Sequence, residues 1–233
     1  MIDLGRRDGR LLRIGHRGAA ALAPENSLEA IALAVELGCD LVEFDVHAVG
    51  GALVVVHDRP DAAHELPSLD EVLEFLRSSG AGVHLDLKAH GAERAVAAAL
   101  RRHGLLGRTI VSSFRGATLR ALHAVEPDVR LGKTYPQDRT GLVKRPIFHA
   151  PARLVVRALK RTLPYRVGPL LRAARATAAV LYWEVITAAV VERCHALGAP
   201  VLAWTVDDAE VVPWLDGLGV DGVVTNDPRI FGG

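Results

Sequence analysis

The sequence predicts an α/β protein folded as a (β/α)8 TIM barrel, with an enlarged basic connection in its second half. Two observations carry that prediction. Short, near-continuously apolar runs alternate with amphipathic helical stripes along most of the 233 residues, as parallel strands covered on both faces require. Charged residues then gather where the apolar runs end, which is where barrel enzymes carry their chemistry. A doubly wound open sheet is the alternative, but no glycine-rich phosphate loop follows the first run. The length is normal for one barrel, so a single domain over 1–233 is expected.

The elements follow in order. Arg10 to Ile14 reads as a strand running into His16-Arg17-Gly18. Asn26 with Glu29 reads as a helix start, Leu28, Ile31, Ala32 and Val35 as its stripe, and Gly38 as its end. A strand over Asp40–Val46, a Gly50-Gly51 turn and the apolar run Leu53–Val56 deliver His57 and Asp58. Ser68 with Glu71 caps a helix whose stripe is Leu69, Val72, Leu73 and Leu76. Strands over Gly82–Leu87, Arg108–Ser113 and Val129–Gly132 alternate with helices over Ala92–His103 and Gly116–Val125. After an irregular middle come a strand at Ala178–Leu181, a helix at Thr187–Leu197 and a strand at Pro200–Val206. Asp207 with Glu210 is expected to cap the next helix, and Val220–Val224 is the last strand.

Composition narrows the classes. Half of the residues are hydrophobic and the net charge is +1, so a large core is expected, little suggests disorder, and nothing in the overall charge calls for nucleic acid. The N-terminus is polar and charged, reading neither as a signal peptide nor as an anchor. Cys39 and Cys194 lack metal-type spacing and read as buried thiols in a reducing compartment, so a cytoplasmic location is expected, with a membrane-peripheral one as the option.

The chemistry sits at the strand ends. Side chains alternate along a strand, so Glu43 and Asp45 share one face while Val42, Phe44 and Val46 pack on the other. Two carboxylates on so apolar a strand are costly to bury without a cation. Asp86 and Lys88, also two apart, end the next barrel strand. Glu43, Asp45 and Asp86 offer hard oxygen ligands that suit Mg2+ or Ca2+. His16 and His57 titrate near neutrality, as an acid–base pair needs. Arg17 and Lys88 can hold an anionic group such as a phosphate. Trp204, with Thr205 at the end of a late strand, is assigned to the substrate. Such a pocket describes phosphodiester cleavage.

In order and spacing, HRG, PENS, EFD, HD, DLK, WTVDD and GVDGVVTNDP closely resemble the glycerophosphodiester phosphodiesterase family. The resemblance covers Ile14 to about Ser113 and about Ala178 to Pro228. It implies a barrel enzyme that uses a divalent metal to cleave a small-molecule glycerophosphodiester into glycerol phosphate and an alcohol. His16 and His57 would be the catalytic pair, Glu43, Asp45 and Asp86 the metal ligands, and Arg17 and Lys88 the phosphate contacts. Glu25 and Asn26 match the family's Glu-Asn pair, with Asn26 read first as a helix cap. A lysophospholipase D- or sphingomyelinase D-like enzyme forming a cyclic phosphate is the alternative. A non-catalytic binding barrel is disfavoured, because His16, His57, Glu43 and Asp45 are all present. Asp86 stands where the family usually has glutamate, and Asn226 where an aspartate is common. A short connector between Asp58 and Ser68 implies an open cleft.

Arg139 to Arg175 holds ten of the chain's 28 basic residues and no acidic one, leaving 18 basic against 27 acidic residues elsewhere. This 139–176 insert is read either as a solvated helix whose arginines pair with acidic surface, or as an amphipathic surface meeting anionic lipid. No nucleic-acid partner is expected. Among other histidines, His47 is expected to turn away from Glu43 and Asp45. His84 is expected in the core or behind Asp86.

Overall fold

The computed structural model describes residues 2–59, 61, 66–137 and 149–232, with backbone alone for 149–153. Among these, nine strands form one sheet: β1 (Leu12–Gly15), β2 (Leu41–Val49), β3 (Ala52–Val55), β4 (Gly82–Leu87), β5 (Thr109–Ser113), β6 (Arg130–Tyr135), β7 (Ala178–Tyr182), β8 (Val201–Trp204) and β9 (Gly222–Thr225). Eight pair in parallel in the order β1-β2-β4-β5-β6-β7-β8-β9, and β9 pairs back onto β1 to close a (β/α)8 barrel. The exception is β3. It returns antiparallel to β2, with Val46 opposite Val55 and His47 opposite Val54. The run before His57 is therefore a hairpin arm beside the barrel. Its Gly50-Gly51 turn has positive φ at both residues, 58° and 88°, the left-handed pair that a tight two-residue hairpin favours.

Helices cover the outside: α1 (Leu28–Glu36), α2 (Leu69–Ser79), α3 (Glu93–Arg102), α4 (Gly116–Val125), α5 (His149–Ala174), α6 (Ala188–His195) and α7 (Val211–Gly217). Ser68 and Glu71 form a reciprocal capping box on α2, and the expected stripe Leu69, Val72, Leu73 and Leu76 is its buried face. Two expected caps fall elsewhere. On α1 the cap is Ser27, whose hydroxyl accepts from the Ala30 N–H, while Asn26 has φ 62° and hydrogen-bonds Asp45. The buried face of α1 is accordingly Ala30, Ile31 and Ala34, and Leu28 is exposed. On α7 no side chain caps the helix. The Asp207 carboxylate instead accepts from the backbone and side chain of Asn226.

The core has an inner and an outer layer. Leu12, Ile14, Leu41, Ile110, Val180, Leu202 and Val224 fill the barrel with Leu4. Between barrel and helices lie Val42, Phe44, Val46, Val83, Leu85 and Leu87, all fully buried against the residues of α1 to α3. Burying an aromatic or branched side chain of this size contributes roughly 1.5–3 kcal/mol. The alternation that sends Phe44 outward sends Glu43 and Asp45 inward, toward the barrel mouth. Cys39 and Cys194 are buried free thiols.

Candidate active site

At the carboxyl ends of the strands opens a cleft of about 680 Å3 lined by His16, Arg17, Glu43, Asp45, His57, Asp86, Lys88 and Trp204, among others. Every site residue singled out from the sequence therefore borders one space. Parallel register does much of this work. Asp45 is paired with Asp86 across β2 and β4, and Glu43 with His84. Ligand oxygens of Glu43, Asp45 and Asp86 lie within 4.8 Å of one another, and all three residues are buried.

Local backbone geometry places the other groups. After β1 the chain turns sharply, with Arg17 at φ 51° and Gly18 at φ 82°. A Cβ on Gly18 would overlap the Ala30 backbone, so this position tolerates only glycine. The turn aims the Arg17 N–H at Glu43 Oε2, 2.9 Å away. His57 is delivered by the hairpin, where the Val56 N–H donates to the Asp45 carbonyl at 3.0 Å.

The two imidazoles are each held by one nitrogen. His16 Nδ1 lies 2.7 Å from Asn226 Oδ1. Asn226 Nδ2 donates to Asp207, so its oxygen must face the ring and His16 Nδ1 must carry the proton. His57 Nδ1 is 3.1 Å from Asp45 Oδ2, and a carboxylate can only accept. Both Nε2 atoms are thus left for other work. His57 Nε2 receives an Arg17 N–H at 3.3 Å, and His16 Nε2 is 3.9 Å from Glu43.

Charge is distributed unevenly. Lys88 Nζ bridges Asp45 Oδ1 at 2.8 Å and Asp86 Oδ2 at 2.5 Å. Arg17 is 3.2 Å from Asp45 and 2.5 Å from Glu25. Burial would raise Asp45, but the His57 hydrogen bond and the Lys88 and Arg17 cations hold it far below the usual carboxylate range. Glu43 goes the other way: burial, then the Asp45 and Asp86 charges, push it well above its ordinary value. Burial also lowers His16 to about 4, with Arg17 adding to it, so the ring is neutral at neutral pH. Glu43 is the carboxylate whose charge the protein leaves least compensated. Three buried oxygen donors with surplus negative charge fit a hard divalent cation.

Neighbouring residues complete the site, two of them in ways the sequence reading did not give, Asn26 and His47. Asn26 is buried and clamps Asp45 twice, donating to Oδ2 at 3.1 Å and accepting from the backbone N–H at 3.0 Å. His47 does not turn away from the site. It continues the Glu43–Asp45 face, since 43, 45 and 47 have the same parity, and its Nε2 is 3.1 Å from the His57 carbonyl. That signal was present in the spacing. His84 is buried behind Asp86: its Nε2 meets Ser112 Oγ at 3.0 Å, and Ser112 donates to Asp86. Trp204 donates to the Val180 carbonyl and meets Phe114 edge-on, with centroids 5.7 Å apart. The Asp58–Ser68 connector, on which the open-cleft expectation rested, lies largely outside the described residues.

Imidazoles facing buried carboxylates at a barrel mouth suit the class of barrel phosphoric diester hydrolases, and the family match makes this chain one of them. More narrowly, the chain belongs to the glycerophosphoryl diester phosphodiesterase family, whose sequence model matches residues 16–74 and 67–230. A glycerophosphodiester phosphodiesterase of Caldanaerobacter subterraneus subsp. tengcongensis is 27% identical over 257 residues, covering 94% of this chain and 96% of that protein. Two solved structures share the fold. A phosphodiesterase of Oleispira antarctica, in complex with the product sn-glycerol-3-phosphate, superposes with TM-score 0.72 at 22% identity, covering 93% of each chain. A glycerophosphodiester phosphodiesterase of Parabacteroides distasonis gives TM-score 0.73 at 22% identity, covering 93% of this chain and 92% of its own.

Proposed function

We propose that this enzyme hydrolyses glycerophosphodiesters to glycerol phosphate and an alcohol, with His16 and His57 moving the protons, and that residues 1–233 act as one domain. The observation that supports this most is the shared orientation of the two imidazoles. Each Nδ1 is tied down, by Asn226 and by Asp45, which leaves Nε2 as the working nitrogen of two rings that line the same cleft. His16, neutral in its buried setting, takes a proton from the attacking water as its oxygen bonds to phosphorus. His57, carrying a proton on each ring nitrogen once Arg17 has turned from its Nε2 to the phosphoryl group, passes the Nε2 proton to the leaving oxygen as its bond to phosphorus breaks. Arg17 and Lys88 place positive charge beside the phosphoryl group, and Trp204 with Phe114 gives the substrate carbons an apolar wall. Glu43, Asp45 and Asp86 would hold a divalent cation, Mg2+ or Ca2+, which supplies Lewis-acid polarisation of a phosphoryl oxygen when bound. The product seen with the Oleispira enzyme supports glycerol phosphate as the product here.

The test is a diester panel followed by phosphorus NMR: glycerophosphocholine, glycerophosphoethanolamine, glycerophosphoinositol and a lysophospholipid, with and without EDTA. EDTA-sensitive release of glycerol phosphate by the wild type, reduced roughly 10²- to 10⁴-fold in His57→Ala, is the expected result. A persistent cyclic phosphate from the lysophospholipid would replace this reading with a lipid-cleaving one. Full turnover by His57→Ala would remove that residue from the mechanism.

A further inference from the structure

Helix α5 is far longer than a barrel needs. Its 26 residues span about 39 Å at the rise of an α-helix, whereas β6 and β7 have 6 and 5 residues, about 17–20 Å of strand. The inner face is ordinary packing. Leu163, Val167, Leu171 and Ala174 are buried, and Val156 and Leu159 join the apolar cluster that holds Tyr135, Tyr182 and Trp183 at the strand ends. The helix also packs on Trp183–Val185, the turn leaving β7 at the active-site end. Its amino-terminal part therefore stands at the rim of the catalytic mouth.

The outer face is unusual. Leu154, Arg157, Arg161, Tyr165 and Arg172 fall on one side at helical spacing, and all are exposed. Leu154 is 71% exposed and Tyr165 83%, with Val155 beside them at 55%. Among the described residues no carboxylate pairs with Arg157, Lys160, Arg161, Arg166, Arg172 or Arg175. The arginines therefore do not discharge onto acidic surface there, as one sequence reading held.

We propose that this face of α5 is a docking surface for an anionic phospholipid bilayer, which brings the catalytic mouth to a lipid surface. Guanidinium groups attract anionic headgroups, while Leu154, Val155 and Tyr165 supply the apolar and aromatic side chains that settle at an interface. A planar membrane fits better than a nucleic acid. Outside the insert acidic residues outnumber basic ones, 27 to 18, so a polyanion wrapping the protein would meet like charge, whereas a plane touches one face. No helix among the described residues is long and apolar enough to cross a membrane, so the contact is peripheral.

The test is co-sedimentation with vesicles of phosphatidylcholine alone and of phosphatidylcholine with phosphatidylglycerol. Wild type is expected to pellet with the anionic vesicles only, and less at high salt. Arg157→Glu with Arg161→Glu should lower partitioning by more than roughly five-fold per arginine, since charge is reversed rather than removed. Leu154→Ser with Tyr165→Ser should weaken binding at high salt as well. Neither pair lines the cleft, so hydrolysis of a water-soluble diester serves as the folding control and reads catalysis separately. Absence of binding to anionic vesicles overturns the proposal. So does binding that survives the charge reversal, or retention on a duplex DNA probe without vesicle binding.

Discussion

His16 Nδ1 and Asn226 Oδ1 stand 2.7 Å apart, and the same amide gives its Nδ2 hydrogen to Asp207 Oδ2, also at 2.7 Å. An amide at 226 is what these two neighbours demand. It accepts from the imidazole and donates to the carboxylate in one group, which a second carboxylate cannot do.

Asn226→Asp should therefore set two carboxylates face to face and lower kcat roughly ten-fold or more, short of the 10²- to 10⁴-fold of losing an acid–base group. KM should change little. Combining it with Asp207→Asn restores a donor opposite the new carboxylate, and most of the lost kcat should return. Steady-state kinetics of the two single variants and the double variant check this. A double variant no better than Asn226→Asp would refute the relay.

Metal removal is the next test. Glu43→Gln and Asp86→Asn each replace one carboxyl of the buried trio by an amide that cannot ionise to bind the metal. Groups that merely support a metal ligand cost roughly 10- to 100-fold in affinity or activity when changed, and a ligand should cost no less. Calorimetric titration with Mg2+ and with Ca2+, on wild type and both variants, measures it. Unchanged affinity in both variants would move the metal elsewhere.

Asn26 should matter to stability and to rate together. Asn26→Ala leaves the buried Asp45 N–H without its 3.0 Å acceptor, a loss of about 1–3 kcal/mol for an unsatisfied buried group. Urea denaturation reads that cost directly. Because Asp45 also holds His57, kcat should fall in the same variant, and a stable variant with full activity would contradict the clamp.

The buried imidazoles set a pH dependence. His16 and His84 are both lowered to about 4, chiefly by burial, against about 6.5 in an unfolded chain. As pH falls from about 6.5 toward 4, the unfolded chain binds protons that the folded rings refuse, so stability drops through that window. Thermal melting across it should show the decline, and His84→Gln, which keeps a donor for Ser112, should make the slope shallower. An identical slope would exclude His84 as a contributor.

Much of the barrel was legible because two periodicities are local. Near-continuous apolar runs marked the parallel strands, and the Ser68–Glu71 pair marked a helix start that the capping box reproduces. The Leu53–Val56 run was legible as a strand but not as a hairpin arm. The Gly50-Gly51 turn carries the residue pattern of a two-residue hairpin, a signal the reading did not use, and its antiparallel partner is β2. Asn26 and Asp207 read as caps because their side chains suit helix starts. Both were claimed by stronger partners brought in from elsewhere in the chain, Asp45 and Asn226.

The sequence by itself determined that Glu43 and Asp45 face the cleft, because alternation along a strand puts them on one side and Val42, Phe44 and Val46 on the other. It also determined the separation of charge that makes α5 basic. Only the tertiary structure decided what those groups do to one another. Asp45 is held ionised and Glu43 is pushed toward its neutral form, although they are the same chemical group two residues apart. The reason is burial combined with the cations that barrel closure sets beside one and not the other, Lys88 from β4's end and Arg17 from β1's turn.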